Sequence, residues 1–244
     1  MTPPGVDLDR LRTYLDKELP GVVDGELSAE LIAGGRSNLT YDLCGRFVLR
    51  RPPLGHVLAT AHDMGREHRV LSALHGSPVP VPRPVLFCPD PDVIGAPFYI
   101  MEKVHGTVYW SGGQVVSALG PAGAEALAAD LVRILAELHT LEPEAYGLGD
   151  FGRPEGFLER QVRRWRKQLD ASRSREVPGI DELAAGLAER IPQTQRHAVV
   201  HGDYRLDNLL VNEAGKIAAV LDWEMSTLGD PLTDIGLLRV YWTA

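Results

Sequence analysis

Residues 197–236, HAVVHGDYRLDNLLVNEAGKIAAVLDWEMSTLGDPLTDIG, decide how this chain is read. Three short apolar runs, 198–200, 209–211 and 217–221, have the length and composition of strands. Between the last two, Asn212-Glu213-Ala214-Gly215 has the chemistry of a hairpin turn, with Gly215 free to take positive φ. His201, Asp203 and Asn208 lie in the polar segment after the first run, and Asp222 stands directly after the third. Asp203, Asn208 and Asp222 are thus expected at or beside strand ends around one hairpin, where side chains can converge.

Phosphoryl transfer from a nucleotide needs a carboxylate to orient the attacking hydroxyl and take its proton. It also needs hard oxygen ligands for Mg²⁺, which bridges the phosphates and offsets their charge. Asp203 and Asn208 have the D-x-x-x-x-N spacing of a kinase catalytic loop, and Asp222-Trp223-Glu224 stands where D-F-G would carry the metal-binding Asp. Each residue alone is an ordinary turn or cap former. The offsets around one hairpin carry the reading.

HGDYRLDNLLV and AAVLDWE resemble the aminoglycoside phosphotransferase-like, choline-kinase-type family of small-molecule kinases, in which H-G-D stands for the H-R-D of protein kinases. LDWEMSTLGDPLTDIG is similar to the branch also found fused to acyl-CoA dehydrogenases. The resemblance runs from Leu31 to the end and implies an α+β, protein-kinase-like fold of two lobes. Residues 1–104 would form the nucleotide-binding lobe, a small antiparallel sheet with one helix, and 105–244 a mainly helical lobe carrying the catalytic loop. It further implies ATP and Mg²⁺ as cofactors, Asp203 as the catalytic base, and Asn208 and Asp222 as metal ligands. The acceptor would be a hydroxyl of a small molecule, either an aminoglycoside-like amino sugar or a hydroxyacyl-coenzyme A. A nucleotide-binding module without transfer activity is the other reading. Family members continue past the place of Tyr241-Trp242-Thr243-Ala244 with helices that build much of the acceptor pocket, so the chain is expected to be shortened at its C-terminus.

Composition is that of an ordinary globular protein. A length of 244 residues with 44% hydrophobic and 24% charged side chains suffices for one large domain or two modest lobes. The net charge of -8 argues against nucleic acid as a partner, since that affinity rests on clustered positive charge. No apolar run approaches the roughly 20 residues of a membrane span, and the N-terminus lacks a signal-peptide core, so a cytoplasmic protein with no membrane partner is expected. Cys44 and Cys88 have no metal-ligand spacing and sit in apolar runs. They are read as buried free thiols, with a disulfide left open.

Upstream, Leu8, Leu11, Leu15 and Leu19 have helical spacing after Asp7, a candidate N-cap, and Pro20 ends that helix. Strands are expected at 31–33, 40–43 and 47–50. The loop Gly34-Gly35-Arg36-Ser37-Asn38 between the first two can bring backbone N–H groups to phosphate oxygens, which makes Gly34, Gly35, Ser37 and Asn38 candidate cofactor-binding residues. Arg50 ends the next strand, where kinases place a phosphate-contacting Lys; Arg51 should point to the other face. A helix over 61–74 puts Glu67 on the same face as Leu71 and Leu74. A carboxylate there needs a cation, and Arg50 is the expected partner.

Strands are then expected at 85–88 and 98–104. The second, FYIMEKVHG, resembles the hinge strand of the kinase fold. By that resemblance backbone groups of Glu102 and Val104 would meet the adenine edge, with Met101 packing nearby, and the lobe boundary falls at His105-Gly106. Helices follow at 124–139, at 157–169 with Val162, Trp165 and Leu169 inward, at 183–191, and from Thr233 onward. The outer face of 157–169 carries Arg160, Arg163, Arg164, Arg166 and Lys167, either a solvated basic face or a patch for an acidic acceptor. His139 and His197 read as structural, and His201 as a brace for its own loop.

Overall fold

A computed structural model describes residues 3–32, 38–55 and 62–243. By compactness the chain divides into two units, Met1–Ile134 with Leu206–Glu224, and Leu135–Arg205 with Met225–Ala244. This division leaves the chain at other points than His105-Gly106.

In the first unit, helix α1 (Leu8–Glu18) starts where Asp7 accepts a hydrogen bond from the Arg10 N–H at 3.0 Å. Strands β1 (Ala29–Leu31), β2 (Leu39–Leu43), β3 (Phe47–Arg51), β4 (Pro84–Cys88) and β5 (Phe98–Glu102) form one antiparallel sheet, ordered β1-β2-β3-β5-β4. β3 lies centrally and is buried at every residue, its arginines included. Leu11 and Leu15 of α1 pack with Tyr41, Leu49, Phe98 and Ile100 of the sheet. Burial of each leucine contributes about 2 kcal/mol. Helix α2 (Met64–Leu74) begins later than residue 61, because Asp63 caps the Arg66 N–H at 2.9 Å. It packs on β4 and β5 and carries Glu67 on its buried face.

The same unit contains the hairpin β7 (Leu209–Val211) and β8 (Ile217–Val220). Asn212 Oδ1 accepts from the Ala214 and Lys216 N–H groups, both at 3.0 Å, and Gly215 has φ 72°, as the turn chemistry required. Helix α3 (Gly112–Thr140) starts well before residue 124. Gly120 breaks it at φ 71°, and Pro121 then opens the second segment, where a missing N–H costs nothing. By length and composition α3 could cross a membrane, contrary to the absence of such a run expected from the sequence. One face of it is packed within the protein: Leu127, Leu131 and Ile134 are buried, and the Asp130 carboxylate accepts from the Ile217 N–H at 3.1 Å.

The second unit holds α4 (Phe157–Ser172), α5 (Ile180–Glu189), β6 (Ala198–Val200), β9 (Thr227–Gly229) and α6 (Leu232–Thr243). β6 pairs antiparallel with β9, a strand the sequence did not suggest. Trp165 is 54% exposed, against the inward placement expected of it, and α5 buries none of its residues. Arg166 and Arg173 are spent on Asp170 and Asp181, so the basic face of α4 is partly neutralised by its own neighbours. Both cysteines are free, but only Cys88 is buried; Cys44 sits in the turn after β2 at φ 55° and is exposed.

Candidate active site

Three segments of the first unit meet at Arg50. β3 carries the guanidinium, α2 brings Glu67 from one side, and the chain leaving β8 brings Asp222 from the other. Arg50 Nη1 lies 2.9 Å from Glu67 Oε1, and Nη2 donates to Asp222 Oδ1 at 3.1 Å. Glu67 is only 1% exposed. Burial pushes its carboxyl up to about 6, against the pull of Arg50, while Asp222 adds to the rise. The guanidinium is held charged above its ordinary range by Glu67, Tyr99 and Asp222, although burial opposes this. A guanidinium does not give up its proton in a protein, so Glu67 is the member that yields. The Tyr99 phenol, itself raised by burial and by Glu67, borders the same carboxylate. Among the described residues, Arg50 Nε is buried without a hydrogen-bond partner, and neither Glu67 oxygen accepts an aligned hydrogen bond.

Asn208 is buried at the end of the 3-10 turn Leu206–Asn208 that leads into β7, and its carbonyl accepts from the Leu221 N–H at 2.8 Å, one residue before Asp222. Asp222 has φ 62°, a left-handed conformation that Asp tolerates better than most residues. One carboxylate, one amide oxygen and two phosphate oxygens suit Mg²⁺, which keeps several waters and takes few protein ligands. Among the described residues no group of three or more His, Cys, Asp or Glu side chains forms a metal cage. Asn38 donates to Glu224 Oε2 at 2.9 Å and faces His62 Nδ1 at 2.9 Å, so its side chain is occupied within the protein. Gly34, Gly35 and Ser37 lie outside the described residues.

At the end of β5, Met101 is buried, and the Glu102 N–H already donates to the Arg83 carbonyl at 2.8 Å. The Glu102 N–H is thus engaged within the protein, which leaves the carbonyl as the candidate group of Glu102 for an adenine edge. The Glu102 carboxylate pairs with Arg83, which holds it below its usual range.

Asp203 belongs to the second unit, on the loop after β6. Its N–H donates to His201 Nδ1 at 3.2 Å, as the bracing role expected for His201 requires. Arg205 Nε lies 3.2 Å from Asp203 Oδ2, and the same guanidinium stacks 4.9 Å from the Tyr241 ring centroid. Beneath the loop, the fully buried Asp234 of α6 accepts from the His201 N–H, the Gly202 N–H and His139 Nε2, at 2.8, 2.8 and 2.9 Å. Burial opposes ionisation of Asp234, yet His139, His201 and the two N–H groups hold its carboxyl below the usual range. Gly202 has φ 84°, and a Cβ there would meet the Met225 carbonyl at 2.7 Å, so H-G-D admits no other middle residue cheaply.

Over residues 28–244 the chain matches the phosphotransferase enzyme family. It belongs to that family. A solved structure from Ralstonia eutropha, described as a candidate aminoglycoside phosphotransferase, is 37% identical with a TM-score of 0.84, covering 98% of this chain and 70% of its own. The GDP complex of aminoglycoside 2'-phosphotransferase-IIIa shares the fold at 18% identity and a TM-score of 0.69, over 98% of this chain and 83% of that one. A choline/ethanolamine kinase family protein of Mesorhizobium loti shares it at 21% and 0.60, over 96% and 70%. The α+β, kinase-like fold implied by the sequence is therefore the fold found. Acyl-CoA dehydrogenase family member 11 of Gallus gallus is 38% identical over 97% of this chain, and member 10 of Mus musculus 38% over 93%. The chain spans 31% and 21% of those relatives, respectively.

In this member of the family the sequence indicated the Arg50–Glu67 pair, because a carboxylate on an apolar helix face implies a cation. It did not indicate the Arg50–Asp222 contact or the role of Asp234. No local pattern announces that a helical Asp will collect N–H groups from a loop 32 residues earlier.

Proposed function

We propose that the chain is an ATP- and Mg²⁺-dependent phosphotransferase acting on a hydroxyl of a small molecule. The observation that carries the reading is the Arg50 bridge between Glu67 and Asp222, a buried cation held between two carboxylates. Arg50 would bind the phosphates, with Glu67 holding its fork in place. Asn208 and Asp222 would hold Mg²⁺, which supplies charge neutralisation on the phosphoryl oxygens. Asp203 would accept the acceptor's hydroxyl proton as the new oxygen–phosphorus bond forms and the bond to the β,γ-bridging oxygen breaks, leaving ADP. Asp234 and His139 keep the loop of Asp203 in shape.

For the acceptor, we favour a hydroxyacyl-coenzyme A over an amino sugar. Relatives at 35–38% identity are acyl-CoA dehydrogenase family members, whereas solved enzymes bound to streptomycin or kanamycin stand at 17–19%. A cytoplasmic location fits such an acceptor. The test is transfer from γ-labelled ATP to hydroxyacyl-CoA thioesters with the hydroxyl at different positions, beside kanamycin and choline. Mg²⁺-dependent labelling of a thioester is expected. Labelling of kanamycin at an equal or higher rate would overturn the acceptor, and Mg-ATP binding without labelling of any acceptor would favour a binding module.

A further inference from the structure

Asn38 opens the segment that becomes β2 and is 3% exposed, yet its side chain reaches two segments distant in sequence. An ionised Glu224 can only accept, so the Asn38 amide nitrogen faces it, at 2.9 Å. The amide oxygen therefore faces His62 Nδ1, at 2.9 Å, and that ring nitrogen carries the proton. Both partners stand beside the parts of the clamp. His62 immediately precedes Asp63, the cap of the helix that carries Glu67. Glu224 lies in the 3-10 turn Trp223–Met225, which directly follows the left-handed Asp222. One amide thus ties the start of β2 to the two segments that deliver both carboxylates of Arg50.

We propose that Asn38 is a positioning residue for the metal-binding turn. By holding Glu224 it keeps the chain after β8 in the turn that turns Asp222 toward Arg50. Through His62 it keeps the entry to α2 in register with that turn. A residue in a sparsely populated backbone conformation persists only where its surroundings over-determine it. Among the described residues the surroundings of Asp222 include Trp223, whose indole N–H donates to the Val220 carbonyl at 3.0 Å, and the Asn38–Glu224 bond. The sequence marks Asn38 as a candidate for touching phosphate; the structure spends its amide on the carboxylate next to the metal ligand instead. The inference rests on the reading of Asp222 as a metal ligand and adds the residue that holds it in place.

The test uses Asn38→Leu, which keeps the volume and loses both bonds, and Asn38→Asp, which keeps the shape and sets a like charge against Glu224. Two readouts are taken on the full chain: the Mg²⁺ concentration that half-saturates ADP binding by calorimetry, and hydrogen exchange of the amides of residues 221–224 without nucleotide. Both variants should raise the half-saturating Mg²⁺ by about tenfold or more, the scale for losing a group that orients a metal ligand. Exchange at 221–224 should speed up by a similar factor, while ADP binding without metal stays within about threefold. The double variant Asn38→Asp/Glu224→Gln restores a donor–acceptor pair with reversed polarity and should recover the slow exchange. Because Asn38→Asp and the reversed pair preserve shape, they decide the matter even where Asn38→Leu does not fold. Unchanged exchange and unchanged Mg²⁺ dependence in a folded variant overturn the inference alone. A parent that binds no Mg-ADP overturns the phosphotransfer reading, and the inference with it.

Discussion

Arg50 and Asp222 are 172 residues apart in the chain and 3.1 Å apart in the fold. The contact makes one guanidinium answer to two carboxylates, Glu67 on α2 and Asp222 after β8. Glu67 is the more buried of the two, at 1% side-chain exposure against 30% for Asp222. Removing the cation should therefore strand Glu67 far more than Asp222.

The pair Arg50–Glu67 should be strongly coupled in stability. Loss of Arg50 alone leaves the buried Glu67 uncompensated, at a cost of about 3–5 kcal/mol, whereas loss of Glu67 leaves Arg50 with Asp222. The double variant Arg50→Met/Glu67→Leu should cost less than the sum of the single losses. Urea denaturation of the four proteins checks this, and strict additivity would contradict the contact.

Glu67 also sets a pH dependence. Its folded value of about 6 lies above the ordinary 4.5, so between these values the folded protein binds more protons than the unfolded chain. Its contribution to stability is full below 4.5 and is lost as pH rises through about 6, on the order of 2 kcal/mol in all. Asp234 acts in the opposite sense in a lower window: its stabilisation is present above 3.8 and fades as pH falls below that value. Denaturation of parent and Glu67→Gln from pH 4.5 to 6.5 should show a downward slope in the parent that the variant lacks.

Asp234→Asn should unfold the loop that carries Asp203. An Asn has one oxygen for three donors and sets its own N–H groups against those of His201 or Gly202. The expected loss is about 3 kcal/mol or more at neutral pH, measured by urea denaturation. His139→Phe, which removes one donor and leaves the loop bonds, should cost less.

Legibility followed the range of the forces involved. The hairpin at 209–220 was readable because turn chemistry and apolar runs are local, and α1 because Asp7 announces its cap. Arg50–Glu67 was readable because burial of an acid is a demand that a sequence pattern exposes. β9 was not: Thr227-Leu228-Gly229 is too short and too mixed to signal a strand, and only pairing with β6 makes it one. Periodicity placed Trp165 inward, yet α4 buries only Phe157, at its first residue. Helical spacing reports a face, not what covers it. Asp234, Asn38 and His62 act on partners supplied by distant segments, which local pattern does not foretell.

Removing charge at the metal turn should separate metal from nucleotide. Asp222→Asn tolerates the left-handed backbone and keeps an oxygen, but loses the charge. Affinity for Mg-ATP should fall at least about tenfold while stability changes by about 1 kcal/mol at most, since Asp222 is partly exposed. Unchanged Mg-ATP affinity would remove Asp222 from the site.

The central claim is that Asp203 is the base of a phosphotransferase, and Asp203→Asn tests it most directly. The substitution keeps the shape and loses the charge, leaving nucleotide binding to Arg50, Asn208 and Asp222. Calorimetry should find Mg-ATP affinity within a few-fold of the parent. Phosphoryl transfer, or slow ATP hydrolysis where no acceptor is added, should fall by about 10² or more, the scale for losing a positioned base. A variant that turns over at the parent's rate would contradict the assignment of Asp203 and of the loop that carries it.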